Sequence, residues 1–184
     1  MFQDPRCRQN VVYYYKQWQD TFVSFRKENI VNKWINKLPT EDEVNEVALP
    51  FKSKGGSVLI IDDFAQELTI DIVKLFTVLS HHTNSVVFLL LQNIFPKQTL
   101  FRDISLNSTY IVLFKNPRDK SQISNFAKQF SPGNNGYIVE SFREATKRAY
   151  TYVLFDFEQN TPESIRVRSQ VLPHEGPMVV WLPK

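Results

Sequence analysis

Two adjacent carboxylates, Asp62 and Asp63, follow directly on the apolar run Val58–Ile61. When such a run forms a buried strand, it delivers its last side chains to the carboxyl edge of an α/β sheet, where ligands bind. There, one acid could hold Mg²⁺ through water and the other could polarise an attacking water molecule. A positioned base of this kind contributes about 10²–10⁴-fold to a reaction rate. The alternative is that both acids cap the following loop or helix, because so short a motif also arises by chance.

A second apolar run, Val86–Leu91, ends in the side-chain amides of Gln92 and Asn93. This layout resembles that of the additional-strand class of P-loop ATPases, in which a polar residue at this strand end senses the γ-phosphate and orients water. Gln92 and Asn93 are therefore candidates for the same site as the two acids. The alternative is that Asn93 only ends the strand, in a turn before Pro96.

The periodicity of apolar residues predicts the elements that must position these side chains. Strands are predicted at Val11–Tyr15, Ser57–Ile61, Ser85–Leu91, Tyr110–Phe114, Thr151–Phe157 and Ile165–Leu172. Helices are predicted around Phe22, over Val31–Leu38, from Leu68 to Leu79, after Asn116-Pro117 and over Glu140–Arg148. This alternation predicts an α/β fold with a mainly parallel sheet, and the last two strands are expected to pair as a hairpin at its edge.

Composition limits the class of protein. The 184 residues are 42% hydrophobic with a net charge of +3, which is typical of one globular domain and predicts a single domain over residues 1–184. Cys7 is the only cysteine, so an internal disulfide is excluded and a reducing compartment fits. The longest apolar run is far shorter than a membrane span. Met1–Asn10 has no apolar signal core, so we expect an intracellular, non-secreted protein without a membrane partner.

The chain resembles the virus DNA-packaging ATPases of the FtsK–HerA superfamily, above all the poxvirus-type and the Polinton or adintovirus-type members. The resemblance is carried by the stretches SVLIIDDF, LFTVLSHHTNSVVFLLLQNIFP, FRDISLNSTYIVLFKNPRDKSQI and YVLFDF. Its most specific blocks are Arg102–Asn107 and Phe114–Asp119. It implies a three-layer, P-loop NTPase-like fold of the additional-strand class, with ATP and Mg²⁺ as cofactors.

The resemblance also implies roles for individual residues at the strand ends. Asp62 and Asp63 match the Walker B acids, of which Asp62 would hold Mg²⁺ through water and Asp63 would polarise the attacking water. Gln92 matches the strand-end glutamine of the superfamily, and Asn93 is a possible helper.

Arg102 lies where a ring-forming relative would present an arginine to the nucleotide of a neighbouring subunit. Such an arginine finger contributes about 10³–10⁵-fold to turnover. The alternative for Arg102 is a surface ion pair with Asp103. Arg118 is a second candidate, although a salt bridge at the start of a helix would explain it equally well.

The chain departs from this family at the phosphate-binding loop. The motif GxxxxGK[ST] supplies backbone amides, a lysine and a Mg²⁺-binding hydroxyl, but this sequence does not contain it. We therefore expect the Walker B half of an N-terminally truncated domain, without its first strand and phosphate loop. The resemblance implies that the missing strand lies between Ser57–Ile61 and Val86–Leu91. Either those two strands pair directly, or the natural protein has more N-terminal sequence.

The leading hypothesis is the C-terminal portion of a DNA translocase that threads viral or transposon DNA into a capsid. Its implied partners are double-stranded DNA, further copies of itself in a homo-oligomeric ring, and capsid proteins. Its implied location is the host nucleus, a cytoplasmic virus-assembly site or the virion. Two alternatives stay open: a nucleotide-free remnant that acts as an interaction module, and a related FtsK–HerA helicase.

Overall fold

The structure is a computed structural model that describes residues 10–93, 99–118 and 121–183. It divides into two compact units, Met1–Asn107 and Ser108–Lys184. Each unit has its own sheet. Within the described residues, no helix is both long enough and apolar enough to cross a bilayer.

The first unit is built on a parallel sheet that carries the predicted site. Its strands are β1 (Val11–Tyr15), β2 (Lys33–Ile35), β3 (Ser57–Asp62) and β4 (Ser85–Leu90). They lie in the order β2-β1-β3-β4, and all three pairings are parallel. The sequence prediction of an α/β fold with a mainly parallel sheet is confirmed for this unit, including three of its four strands.

The predicted helix over Val31–Leu38 is wrong, because Lys33–Ile35 forms β2 and pairs in parallel with β1. Trp34 lies beside Tyr13 in this pairing and packs with it, whereas Ile35 packs against the core on the opposite face of the sheet. The apolar spacing that suggested a helix is thus satisfied by the two faces of a strand. A three-residue strand is too short to show alternation clearly, so its non-local pairing decides its structure.

Helices and one π-helical segment complete the first unit. They are α1 (Thr21–Lys27), α2 (Glu41–Ala48), the 3₁₀ helix Leu49–Lys54, α3 (Ile70–Lys74), the π-helical segment Leu75–Leu79, α4 (Ser80–Thr83) and α5 (Leu100–Leu106). The helix predicted from Leu68 to Leu79 is confirmed in its main part, since Ile72, Leu75 and Leu79 are buried in the core.

The two faces of the sheet are packed differently. Val12, Tyr14, Leu59 and Ile61 point into an aliphatic core that α2 and α3 cover. On the other face lies an aromatic cluster, which consists of Tyr13, Tyr15, Trp18, Phe22 and Trp34. Because successive residues of a strand face opposite ways, the neighbours Tyr13 and Tyr14 belong to different cores.

Strands β3 and β4 pair directly, from Ser57 opposite Ser85 to Asp62 opposite Leu90. Within these 184 residues the two strands therefore pair directly, which is the first of the two alternatives left open by the sequence; the second, more N-terminal sequence in the natural protein, stays open. Gly56 makes the entry into β3 possible. It has φ +85°, and a Cβ on it would lie 1.9 Å from the carbonyl oxygen of Asn84.

The second unit contains a separate antiparallel sheet. Its strands are β5 (Tyr110–Phe114), β6 (Tyr152–Asp156), β7 (Val167–Ser169) and β8 (Val179–Val180), in the order β5-β6-β7-β8. The predicted pairing of the last two predicted strands, Thr151–Phe157 and Ile165–Leu172, is confirmed as β6 with β7. The expectation that this hairpin borders the parallel sheet is wrong, because β6 pairs with β5 on its other side.

The described part of the second unit has two α-helices, α6 (Ser121–Phe130) and α7 (Asn135–Ala145), and two short 3₁₀ helices, Glu163–Ile165 and Pro173–Glu175. Phe126 of α6 contacts the ring of Phe155 at a centroid distance of 4.6 Å. The prediction that a helix begins at Asn116-Pro117 is wrong, because residues 116–118 are not helical; α6 is described from Ser121 onwards. The Asn116 side chain accepts a hydrogen bond from the backbone of Arg118 and closes a local turn. Asp119 lies outside the described residues.

Candidate functional site

The carboxyl edge of the parallel sheet brings together three of the side chains that the sequence singled out. Asp62 is the last residue of β3, Asp63 follows it, and Gln92 lies just beyond β4. The Nε2 of Gln92 donates a hydrogen bond to Oδ1 of Asp63 at 3.0 Å. The direct pairing of β3 with β4 makes this contact possible, because parallel neighbours end at the same edge.

Asp63 has a left-handed backbone, with φ +65°. Its amide nitrogen lies 3.4 Å from the carbonyl oxygen of Leu90, to which it donates, so β4 supports the turn. A left-handed conformation costs a residue with a side chain about 1–2 kcal/mol, and aspartate is among the residues that adopt it most readily. Backbone strain of this kind is concentrated at functional sites, where surrounding contacts hold it in place.

Asp62 is half-buried, and its carboxylate is held from the neighbouring strand. The hydroxyl of Tyr13 donates a hydrogen bond to Oδ2 of Asp62 at 3.0 Å. Burial raises the pKa of the Asp62 carboxyl above its usual value, the Tyr13 hydrogen bond opposes that rise, and the nearby charge of Asp63 adds to it. Burial thus disfavours the ionised form of Asp62. Among the described residues, the Tyr13 hydroxyl is the one hydrogen-bond donor that stabilises the ionised carboxylate.

Replacing Asp62 by Asn is expected to raise the free energy of unfolding at pH 7. The folded-state pKa of Asp62 is above its unfolded value, so wild-type stability falls as the pH rises through these two values and stays lower at neutral pH. The gain of the variant should therefore shrink as the pH falls below the ordinary carboxyl range, about 4. Urea unfolding at neutral and acidic pH measures the difference. A variant that is less stable than wild type at pH 7 contradicts this expectation.

Lys16 adds a positive charge at the same edge, directly after β1. Its Nζ lies 2.5 Å from Oε1 of Glu67, and this hydrogen bond, with a smaller contribution from the charge of Asp63, raises the pKa of the lysine. Sequence reasoning singled out neither Lys16 nor Tyr13. The available signal for Lys16 was its position immediately after a predicted parallel strand, where ligand-binding side chains are expected.

The two acids match part of a Mg²⁺ site. Mg²⁺ in proteins is usually held by one or two carboxylates, with water and substrate phosphates as the other ligands. Asp62 and Asp63 provide such carboxylates side by side. In the parts of the chain that the structure describes, no group of three or more His, Cys, Asp or Glu side chains could form a complete metal cage. The donors present therefore fit a cation that shares its coordination with phosphate and water.

The remaining candidates are less directly connected to this edge. Arg102 is exposed on α5, and among the described residues it forms no ion pair with Asp103 and no hydrogen bond to either strand-end acid. Asn93 directly follows Gln92 at the end of a described range. Arg118 belongs to the second unit. Their predicted roles stay predictions.

Comparison with known proteins gives no match. No protein-family model fits the chain, and neither a curated protein nor a solved structure is recognisably similar to it. The resemblance to packaging ATPases therefore depends on the sequence stretches named above, and the geometry of the strand ends stands beside it as an independent observation.

Proposed function

We propose that this chain is the Walker B half of an ATP-driven DNA-packaging motor of the FtsK–HerA type. One observation carries the proposal: the Gln92 amide binds Asp63 at 3.0 Å, next to Asp62, at the carboxyl edge of two adjacent parallel strands. If the two acids followed the apolar strand by chance, no hydrogen bond to Asp63 from a side chain of the next strand would be expected. Two carboxylates, one of them oriented by an amide, are residue types that would suit Mg²⁺ and a positioned base beside a phosphate.

The two acids and the amide would divide the chemistry as follows. Mg²⁺, when bound with the nucleotide, would neutralise charge on the β- and γ-phosphates. Asp62 would bind water ligands of the Mg²⁺ through Oδ1, the oxygen to which Tyr13 does not donate. Asp63 would orient the attacking water and accept its proton through Oδ2, which accepts no hydrogen bond from the described residues, whereas Gln92 holds Oδ1. The fixed position of Asp63 would keep the base aligned with the reacting water.

Phosphate binding would come from outside the 184 residues. The sequence has no GxxxxGK[ST] loop, so turnover by this proposal requires that loop from another segment or another subunit. We further propose that the motor is a homo-oligomeric ring on double-stranded DNA that works with capsid proteins. Arg102, exposed on α5, would reach the nucleotide bound by a neighbouring subunit. The motor would work at a virus-assembly site in the host cell.

The test of the function is ATP hydrolysis by the protein expressed from its natural gene, including any coding sequence before Met1. We expect Mg²⁺-dependent hydrolysis that increases when linear double-stranded DNA is added. A gene product that hydrolyses no ATP with Mg²⁺ and DNA present contradicts the proposal. So does hydrolysis that DNA does not change, since a translocase couples the two.

A nucleotide-free interaction module is the second candidate, and the exposed face of β4 favours it. Val86 and Phe88 are 56% and 44% exposed, and Leu90 on the same face is exposed as well. A contiguous exposed apolar row of this kind often marks an interaction surface. Tight binding of Mg-ATP to the 184-residue chain, measured by calorimetry, would eliminate this candidate.

A further inference from the structure

Tyr13 lies beside Asp62 because of the register between β1 and β3. Tyr15 is opposite Asp62 in that register, and Tyr13 is two residues earlier, so all three side chains lie on one face. The phenol reaches diagonally across to Asp62, and its oxygen lies 3.0 Å from Oδ2. Tyr13 is only 6% exposed, so its hydroxyl has few alternatives to this acceptor.

The ring of Tyr13 is held on two sides within the aromatic cluster. It stacks on Trp34 at a centroid distance of 5.0 Å and packs at a tilt on Phe22 at the same distance. Phe22 and Trp34 also contact each other at 5.1 Å. Close packing on both sides holds the ring in a rotamer minimum, so the core sets the position of its hydroxyl.

The hydrogen bond leaves the two oxygens of Asp62 unequal. Oδ2 accepts from Tyr13, whereas Oδ1 accepts no hydrogen bond from any residue in the described ranges. The partly buried carboxylate is therefore anchored at one oxygen and has the other available. This is the arrangement of a ligand whose orientation is set by a protein partner behind it.

We propose that Tyr13 is a positioning residue, which fixes the Asp62 carboxylate in one rotamer through Oδ2 and leaves Oδ1 to bind a divalent cation or its water. The consequence for metal binding rests on the proposed function, whereas the fixing of the rotamer does not. Loss of a partner of this kind weakens metal binding by about 10–100-fold in characterised sites. Tyr13 therefore sets the geometry of the acid without itself contacting the cation or the nucleotide.

Tyr14 provides a matched control on the adjacent position of β1. Its phenol is also buried, but it faces the opposite core, and its hydroxyl has no hydrogen-bond partner among the described residues. Tyr14→Phe and Tyr13→Phe remove the same atom from neighbouring buried rings. Any difference in the behaviour of Asp62 between them reports the hydrogen bond and not the loss of a phenol.

The experiment measures the Hα–Hβ couplings of Asp62 by NMR in the 184-residue chain, together with Mn²⁺ affinity from paramagnetic line broadening. We expect couplings of a single rotamer in wild type and in Tyr14→Phe, and rotamer-averaged couplings in Tyr13→Phe. We also expect the Mn²⁺ dissociation constant to rise by about 10-fold or more in Tyr13→Phe alone.

The outcomes separate this inference from the proposed function. Single-rotamer couplings in Tyr13→Phe overturn the inference, and so does an unchanged Mn²⁺ affinity in that variant when wild type binds Mn²⁺. Averaged couplings in Tyr13→Phe with no Mn²⁺ binding by wild type support the positioning role and count against the proposed metal site. If Tyr13→Phe does not fold, the wild-type couplings decide, because averaged values there overturn the inference.

Discussion

Replacing Asp63 by Asn is expected to lower the rate of ATP hydrolysis by about 10²–10⁴-fold, the usual contribution of a positioned general base. The amide oxygen of Asn can still accept the hydrogen bond from Gln92, so the turn after β3 should keep its shape. The neutral amide cannot take a proton from the attacking water. The measurement is the steady-state rate at saturating Mg-ATP for the protein expressed from its natural gene, with nucleotide binding determined separately.

Asp71→Asn is the control for that experiment. Asp71 lies in the first turn of α3, 3.9 Å from the ammonium of Lys74. Asp71→Asn therefore removes one negative charge from the same unit, as Asp63→Asn does. We expect near wild-type turnover from this variant. Full activity in Asp63→Asn, or an equal loss in Asp71→Asn, would refute the assigned role of Asp63.

Replacing Asp156 by Ala is expected to lower the free energy of unfolding of the second unit by about 3–5 kcal/mol, because it leaves a largely buried arginine without its counter-charge. Asp156 ends β6 and is 2% exposed. Its carboxylate pairs with Arg168, accepts from Thr161 Oγ1 at 3.1 Å and accepts from the backbone of Glu158 at 2.8 Å. Nε of Arg168 has no hydrogen-bond partner among the described residues. It therefore offers no second contact to offset the loss of the Asp156 carboxylate.

Glu163→Ala is the matched control, since it also removes an acid that pairs with an arginine of the same unit. The Glu163 side chain is 88% exposed, and its oxygen lies 2.7 Å from Nε of Arg166. A carboxylate this exposed contributes about 0–1 kcal/mol through an ion pair. Arg166 is itself only 17% exposed, but its Nη1 still donates to the backbone carbonyls of Asp156 and Glu158, so this variant should be close to wild type. Urea unfolding followed at the indole N–H signal of Trp181 monitors the second unit. Equal losses in the free energy of unfolding for the two substitutions would contradict the prediction that the buried Asp156 stabilises the unit more than the exposed Glu163.

The sequence was sufficient to predict the strands that carry the site. Val58–Ile61 and Val86–Leu91 are continuous apolar runs, which suit parallel strands, and each is followed by polar side chains. The carboxyl ends of parallel strands share an edge, but the approach of Gln92 to Asp63 also depends on the direct pairing of β3 with β4, which the sequence left open. Local pattern and tertiary structure agree in this part of the chain.

Other elements depend on information that a local pattern does not contain. Strand β2 has three residues, and only its pairing with β1 distinguishes it from a helical turn. The pairing of β6 with β7 can be predicted from two strands joined by a short loop. The pairing of β6 with β5 is a long-range contact that the local sequence does not indicate. Helix α2 did have a recognisable signal, because Thr40 and Glu43 form a capping box, and that signal was missed.

The contribution of Tyr13 could not be predicted from its position in the sequence. Val11–Tyr15 reads only as a β-rich run with three consecutive tyrosines, and nothing in that run distinguishes one phenol from another. The register between β1 and β3 assigns Tyr13 to Asp62 and turns Tyr14 into the opposite core. A one-residue shift of that register would exchange their environments.

The proposed Walker B half-site can be tested most directly by locating a bound divalent cation on the 184-residue chain. Mn²⁺ is added to the isotopically labelled protein, and the broadening of each NMR signal is recorded before and after excess Mg²⁺. The proposal requires broadening centred on Asp62, Asp63 and the side-chain amide of Gln92, which excess Mg²⁺ reverses and Asp62→Asn abolishes. Broadening centred on another acidic segment, such as Glu41–Glu43, or broadening that persists unchanged in Asp62→Asn, would contradict it.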